Sequence, residues 1–174
     1  MVMPLRPGRI LKNYKRPWTR VSKSKPRKSY VVGVPQPHIH TFEMGDKDGV
    51  FDSVAYLTPK ADVSIRDNAL ESARIVAQNF LEKKLGTSGY FLKVLVYPHG
   101  VIREHSIAQG AGADRFSQGM RHNFGRPVGI MATTVKNQHI FMAKYNKKDE
   151  QTVKDALKRA GSKIRMCHNI EIAS

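Results

Sequence analysis

Residues Ile65–Tyr97 read IRDNALESARIVAQNFLEKKLGTSGYFLKVLVY, and the period of the apolar positions changes inside them. Ala69, Leu70, Ala73, Val76, Ala77, Phe80, Leu81 and Leu85 recur at three- and four-residue spacing, which predicts a helix over 65–85 with one buried stripe. Ser64 and Asp67 form a capping-box-like pair at its start, with aspartate in place of glutamate. Lys83 and Lys84 suit the negative end of the dipole, and Gly86 suits a left-handed stop. Arg66, Glu71, Arg74, Gln78 and Glu82 make a mixed face that reads as solvated. From Tyr90 the pattern becomes YFLKVLVY, nearly continuous in hydrophobicity, as for a strand covered on both sides and turned by Pro98, His99 and Gly100.

Outward from this stretch the chain continues in runs of strand. Val101–His105 predicts a strand, as do Ile130–Val135 and His139–Tyr145, which bracket Lys136, Asn137 and Gln138 as a hairpin turn. Asp149–Ala160 carries Val153, Ala156, Leu157 and Ala160 on one helical face and is closed by Gly161. Ile164–Ile172 alternates Ile164, Met166, His168, Ile170 and Ile172 on one side, leaving Cys167 on the other. Upstream, Val31–Pro37 is turn-rich and Ile39–Met44 is a short strand ended by Gly45. Strands in runs with two inserted helices predict an α+β sandwich, mostly antiparallel, with the helices on one side. No repeat and no βαβ alternation is present.

Between two of these strands lies Ser106–Gly129, SIAQGAGADRFSQGMRHNFGRPVG, with five glycines and three arginines. A connection this long without its own regular structure is either functional or disordered. Glycine makes it costly to hold in one shape. Arg115, Arg121 and Arg126 supply planar forks for phosphate oxygens and base edges. The segment reads as a flexible finger that reaches into RNA from a rigid base.

Charge supports that partner. The chain has 174 residues, 30 Lys+Arg against 14 Asp+Glu and a net charge of +16. That balance favours a polyanion and disfavours self-association, so no homo-oligomer is expected. Its length suits one domain, residues 31–174, which carries the 106–129 loop and follows an arm, 1–30. The arm holds ten basic residues, including Lys12, Lys15, Arg16, Arg20, Lys23, Lys25, Arg27 and Lys28, and the first acidic residue is Glu43. With four prolines and this self-repulsion the arm is expected to be extended when free. Tyr14, Trp18 and Tyr30 among the cations allow stacking on bases while phosphates are neutralised, which a merely solubilising tail does not need. No apolar run approaches a membrane span, and no apolar signal core opens the chain. One cysteine excludes an internal disulfide, and the chain reads as intracellular.

Enzyme chemistry is not supported. Gly110 and Gly112 begin a dinucleotide-type motif, but Arg115 replaces its third glycine, and no G-K-[ST] follows. Cys167 and His168 are neighbours on a predicted strand and point to opposite faces, so they cannot form a nucleophile and base. Asp114 beside Arg115 is better read as a loop-capping aspartate than as a catalytic acid. His38 and His40 share a strand face but lack the third and fourth ligands a metal requires. No metal and no cofactor is expected.

Gly110–Gly129 resembles the signature loop of the large-subunit ribosomal proteins called ten-e in archaea and eukaryotes, counterparts of protein sixteen of the bacterial large subunit. The motif is A-G-A-D-R at Ala111–Arg115 followed by G-M-R at Gly119–Arg121. Ser29-Tyr30 with Gly33-Val34-Pro35, Ala69–Ala77 and Val101-Ile102-Arg103 extend the likeness over nearly the whole chain. One cysteine and an end at Ser174 fit an archaeal-type member.

The resemblance implies an α/β-hammerhead fold and a non-enzymatic, cytoplasmic role as a structural constituent of the large ribosomal subunit. It implies binding to 23S-type rRNA, with 5S rRNA and other large-subunit proteins nearby. It also implies a loop directed toward the peptidyl-transferase centre and the tRNA in the peptidyl and aminoacyl region, in support of translation and subunit assembly. Carried onto this chain, the loop residues are Arg103, Gly110, Gly112, Asp114, Arg115, Gln118, Gly119, Met120, Arg121, Phe124, Gly125 and Arg126. An RNA-binding or RNA-chaperone protein acting away from the ribosome is the competing expectation.

Overall fold

A computed structural model describes residues 7, 11, 31–105, 107, 110–117, 119–121, 123–164 and 168–173. Among these the chain forms, in order, β1 (Glu43–Gly45), β2 (Ser53–Pro59), β3 (Val63–Arg66), α1 (Asp67–Leu85), β4 (Tyr90–Val94), β5 (Gly100–Glu104), β6 (Arg126–Thr134), β7 (Phe141–Tyr145), α2 (Glu150–Lys163) and β8 (His168–Ala173). The expected arm residues Lys12, Lys15, Arg16, Trp18, Arg20, Lys23, Lys25, Arg27 and Lys28 lie outside the described residues, as do Gln118, Met166 and Cys167.

The period-2 pattern of the strands decides the layering. Register places Met44, Leu92, Ala143, Ala55 and Ile172 in one row, and Val94, Phe141, Leu57 and Ile170 in another. These rows line the inner face of a five-stranded sheet of order β1-β4-β7-β2-β8, except at the β8 edge, where Ile172 is exposed. A second sheet of three strands has the order β3-β6-β5, and every pair in both sheets is antiparallel. The two helices pack on each other. α2 meets β2, β7 and β8, whereas α1 touches β4 of the large sheet and β3 and β6 of the small one. The expected α+β class with two helices on an antiparallel framework is therefore the observed one.

The helical stripes are buried as the spacing requires. Leu70, Ala73, Ala77 and Leu81 of α1, and Val153, Ala156, Leu157 and Ala160 of α2, join one core with Leu57, Tyr90, Leu92 and Phe141. Burying each large side chain of this set contributes about 1.5–3 kcal/mol. Ala73 and Ala77 of α1 and Ala156 and Ala160 of α2 are fully buried.

Several local expectations change. α1 begins at Asp67 because Ile65 and Ser64 are already paired in β3 with Ala132 and Thr133. Asp67 does not close a capping box. Its buried carboxylate accepts the backbone N–H of His38 at 3.0 Å and lies 2.7 Å from the His38 ring Nδ1. The supposedly solvated face is a polar ladder. Arg74 donates to Glu71 and to Gln78, Gln78 donates to Glu82, and Tyr90 Oη donates to Glu82 at 3.4 Å. Glu71 holds the Arg74 guanidinium still more firmly in its charged form. Gly86 does take positive φ, at 74°, and its N–H returns to the Glu82 carbonyl.

Gly161 is not a terminator. It lies inside α2, which runs on to Lys163, and its missing side chain makes room for the His168 ring. The last strand starts at His168, after Ile164 has been buried at the helix end. The turn at 136–138 is real, with Asn137 at φ 61°, but it does not make a hairpin, because β6 and β7 belong to different sheets. Lys136 N–H donates to Asp62 Oδ1 at 2.9 Å and Asn137 N–H to the Pro59 carbonyl at 3.0 Å. The β2-to-β3 and β6-to-β7 crossovers are thus tied to each other at one corner between the sheets.

Candidate nucleic-acid interface

The finger grows out of the small sheet. β5 leads into it and β6 leads out, and the two strands are neighbours, so both ends are fixed at one place. β6 begins at Arg126, which means that the last four residues assigned to the loop, Arg126–Gly129, are strand. Pairing moves from Ile102–Gly129 to Arg103–Pro127, leaving Val128 as the extra residue of a bulge. Such an irregularity admits a proline that cannot donate to the ladder.

Two side chains on the β5 side close the neck. Arg103 Nε and Nη2 donate to the Gly125 carbonyl at 3.1 and 2.8 Å, and its guanidinium carbon lies 4.1 Å from the centre of the Phe124 ring. His105 Nε2 lies 2.6 Å from the Gly119 carbonyl, so this nitrogen carries the proton and donates. Gly125 has φ 66°, and a Cβ there would fall 3.0 Å from the carbonyl carbon of Glu104. The position requires glycine for conformation and for space.

Farther out, Gly110 and Gly112 take φ of 115° and 76°, and Gly112 starts a single 3-10 turn over Ala113–Arg115. The Ala113 carbonyl accepts the backbone N–H groups of Phe116 and Ser117, which folds the strip back. Its surface combines cations with large apolar groups. Arg115, Arg121 and Arg126 are exposed, and Phe116, Met120 and Phe124 are 86%, 68% and 59% exposed.

The start of the folded body reaches the same sheet. Val31, the residue after the basic arm, is buried in a small cluster with Val101 of β5 and Ile130 of β6. Val31 and the finger are therefore rooted on the same pair of strands. Nothing in the local sequence around Val31 signals this, because its partners lie 70 and 99 positions away.

The ribosomal protein L16p/L10e family model matches residues 18–171. The chain belongs to this family. It is 41% identical over 163 residues to the large ribosomal subunit protein uL16 of Staphylothermus marinus, covering 93% of this chain and 90% of that one. It is 39% identical over 162 residues to the uL16 of Archaeoglobus fulgidus, covering 93% and 89%. Against the uL16 of Sulfolobus acidocaldarius it is 40% identical over 174 residues, 99% of this chain and 96% of the relative.

These archaeal relatives bear out the reading of an archaeal-type member. As an L16p/L10e protein the chain is a ribosomal structural component rather than an enzyme. Of the site residues expected from the motif, Arg115, Met120, Arg121, Phe124 and Arg126 are presented on the surface. Gly110, Gly112, Gly119 and Gly125 supply the positive-φ positions. Arg103 is spent on the neck itself, with Nε and Nη2 on protein carbonyls and Nη1 buried without a hydrogen-bond partner among the described residues. Phe116 and His105 were not singled out by the motif, although an aromatic among glycines and arginines is the same signal that marks Trp18 in the arm. Among the described residues, no group of three or more His, Cys, Asp and Glu side chains is arranged to hold a metal, and no helix is long and apolar enough to cross a membrane.

Proposed function

We propose that this L16p/L10e protein is a constituent of the large subunit of the cytoplasmic ribosome, bound to 23S-type rRNA, with its 106–129 loop directed toward the peptidyl-transferase centre and tRNA. In this reading 5S rRNA and other large-subunit proteins are neighbours, and the two-sheet body is the hammerhead-like platform that carries arm and loop. The observation that carries the proposal is the finger. A neck clamped by Arg103 and His105 holds out a surface where exposed arginines alternate with exposed Phe116, Met120 and Phe124. Solvent alone gives no return for exposing such side chains together, whereas RNA offers phosphates for the arginines and unstacked bases for the rings.

The arm's cations supply affinity by releasing condensed counterions, with steep salt dependence and little sequence reading. The folded body and finger supply the fit to a particular RNA shape.

The test is incorporation. Large subunits from a strain carrying the tagged chain should contain about one copy each after gradient fractionation at physiological salt. Neutralising Lys23, Lys25, Arg27 and Lys28 should reduce incorporation first, whereas Arg115→Ala or Arg121→Ala should reduce translation more than incorporation. A chain found mainly off the subunits would point to the RNA-chaperone reading instead.

A further inference from the structure

The finger's aromatic groups differ in how they are held. Phe116 projects from the short 3-10 turn with most of its surface free, while Phe124 has one face occupied. That face carries the Arg103 guanidinium, centred 4.1 Å from the ring. The guanidinium is itself fixed by donation to the Gly125 carbonyl at 3.1 and 2.8 Å, and more weakly to the Phe124 carbonyl at 3.3 Å. The ring therefore sits in one orientation at the mouth of the neck, backed by a cation, and remains 59% exposed.

The geometry points to Phe124 as a stacking platform for an unpaired RNA base. This assignment rests on the RNA-binding reading above and adds to it a position and a ligand class, a single-stranded nucleotide. Three features fit that ligand. A ring fixed in advance loses little conformational freedom when a flat partner lands on it. A nucleobase offers a flat π-face whatever its sequence, and such stacking is sequence-tolerant. Arg121 and Arg126, three residues before the ring and two after it, are exposed, and cations close in sequence to the ring suit the phosphates that flank a stacked base. A duplex offers no free base face at this spot, so the platform discriminates single strands from paired ones. A protein partner would find the apolar ring but would have to bury or pair the neighbouring arginines, which makes RNA the better match.

The experiment uses the full chain, a short oligoadenylate and the duplex it forms with oligouridylate, each titrated over a range of salt. Phe124→Leu keeps the residue apolar but gives up the Arg103 contact, so Arg103→Lys, which loosens the neck and keeps the ring, is titrated beside it as the control for a structural effect. The platform predicts a roughly 5- to 150-fold loss of oligoadenylate affinity in Phe124→Leu, the range typical of one base–aromatic stack. Duplex affinity and the salt slope should be unchanged, and Phe124→Tyr should restore binding. Arg121→Ala should instead lower the salt slope by about 0.7, as for one lost phosphate contact on a single strand.

Equal losses on single strand and duplex, or no loss on either, would overturn the platform while leaving RNA binding intact. Loss of a co-purifying ribosomal protein with unchanged RNA affinity would overturn it in favour of a protein contact. If the unmutated chain bound neither RNA, the underlying functional reading would fail, and the stack with it.

Discussion

Gly161 of α2 lies directly against the ring of His168 in β8, with no room between them for a side chain. A Cβ built at position 161 falls 2.6 Å from Nδ1 of that ring. The Gly161 backbone thus packs against the imidazole carried by the edge strand of the large sheet. Gly161→Ala is expected to destabilise by about 1–3 kcal/mol through overpacking, despite alanine's better helix propensity. Thermal or urea unfolding measures it. If the cause is the ring, His168→Ala introduced together with Gly161→Ala should recover part of the loss, and a double-mutant cycle should show coupling.

Asp67 joins the start of α1 to the segment before β1. Because it accepts both the backbone N–H and the ring nitrogen of His38, removing the carboxylate strands a backbone donor, whereas removing the imidazole leaves that donor paired. Asp67→Ala should therefore cost about 1–3 kcal/mol and His38→Ala measurably less. Equal losses in denaturant titrations would show that the ring contact, not the backbone contact, dominates.

These two sites also show where sequence reading stops. The stripes of α1 and α2 were legible because a helix face is written within twenty consecutive residues, and Leu70, Ala73, Ala77 and Leu81 are all buried as the period requires. The strand expected over Tyr90–Tyr97 was legible from YFLKVLVY for the same local reason, although β4 ends at Val94. Gly161 was not, since a glycine near a helix end signals a stop as readily as a close contact, and only His168 decides between them. Ser64 and Asp67 matched a cap in spacing, but β3 pairing and His38 had already engaged that stretch.

At the finger, sequence showed the loop and its arginines. It could not show that Arg126–Gly129 pairs as strand, because Pro127 and Gly129 read as loop until the bulge opposite Ile102 and Arg103 accommodates them. Turn composition at 136–138 likewise announces a turn without saying that the next strand joins another sheet.

Alkaline pH should weaken the fold through Tyr90. Burial, reinforced by Glu82, raises its phenol from 10.0 to about 12. Below pH 10 both folded and unfolded chains keep this proton and there is no effect. Between 10 and 12 the unfolded chain releases it while the folded chain retains it, so stability falls as pH rises through that window. Melting temperatures across this range should decline, and Tyr90→Phe should flatten the decline. Some slope should persist, because burial and Glu150 also raise the Tyr145 phenol.

The neck makes a distinct prediction. Arg103 offers two donors to the Gly125 carbonyl and a flat cation to Phe124, a combination that lysine's point charge cannot reproduce. Arg103→Lys should therefore behave nearly like Arg103→Ala. Both should speed amide exchange across 119–125 while leaving the core amides of β4 and β7 as slow as before. Gly125→Ala should do the same by strain at φ 66° and contact with the Glu104 backbone.

The most direct test of the central claim, that the finger is an RNA-facing element of the large subunit, is amide exchange over the described finger residues 110–117, 119–121 and 123–125. It would be measured on the free chain and on purified large subunits, with and without bound tRNA. The prediction is strong protection in the subunit relative to the free chain, with a further increase when tRNA is present. Equal exchange in the free chain and the subunit, with or without tRNA, would contradict it.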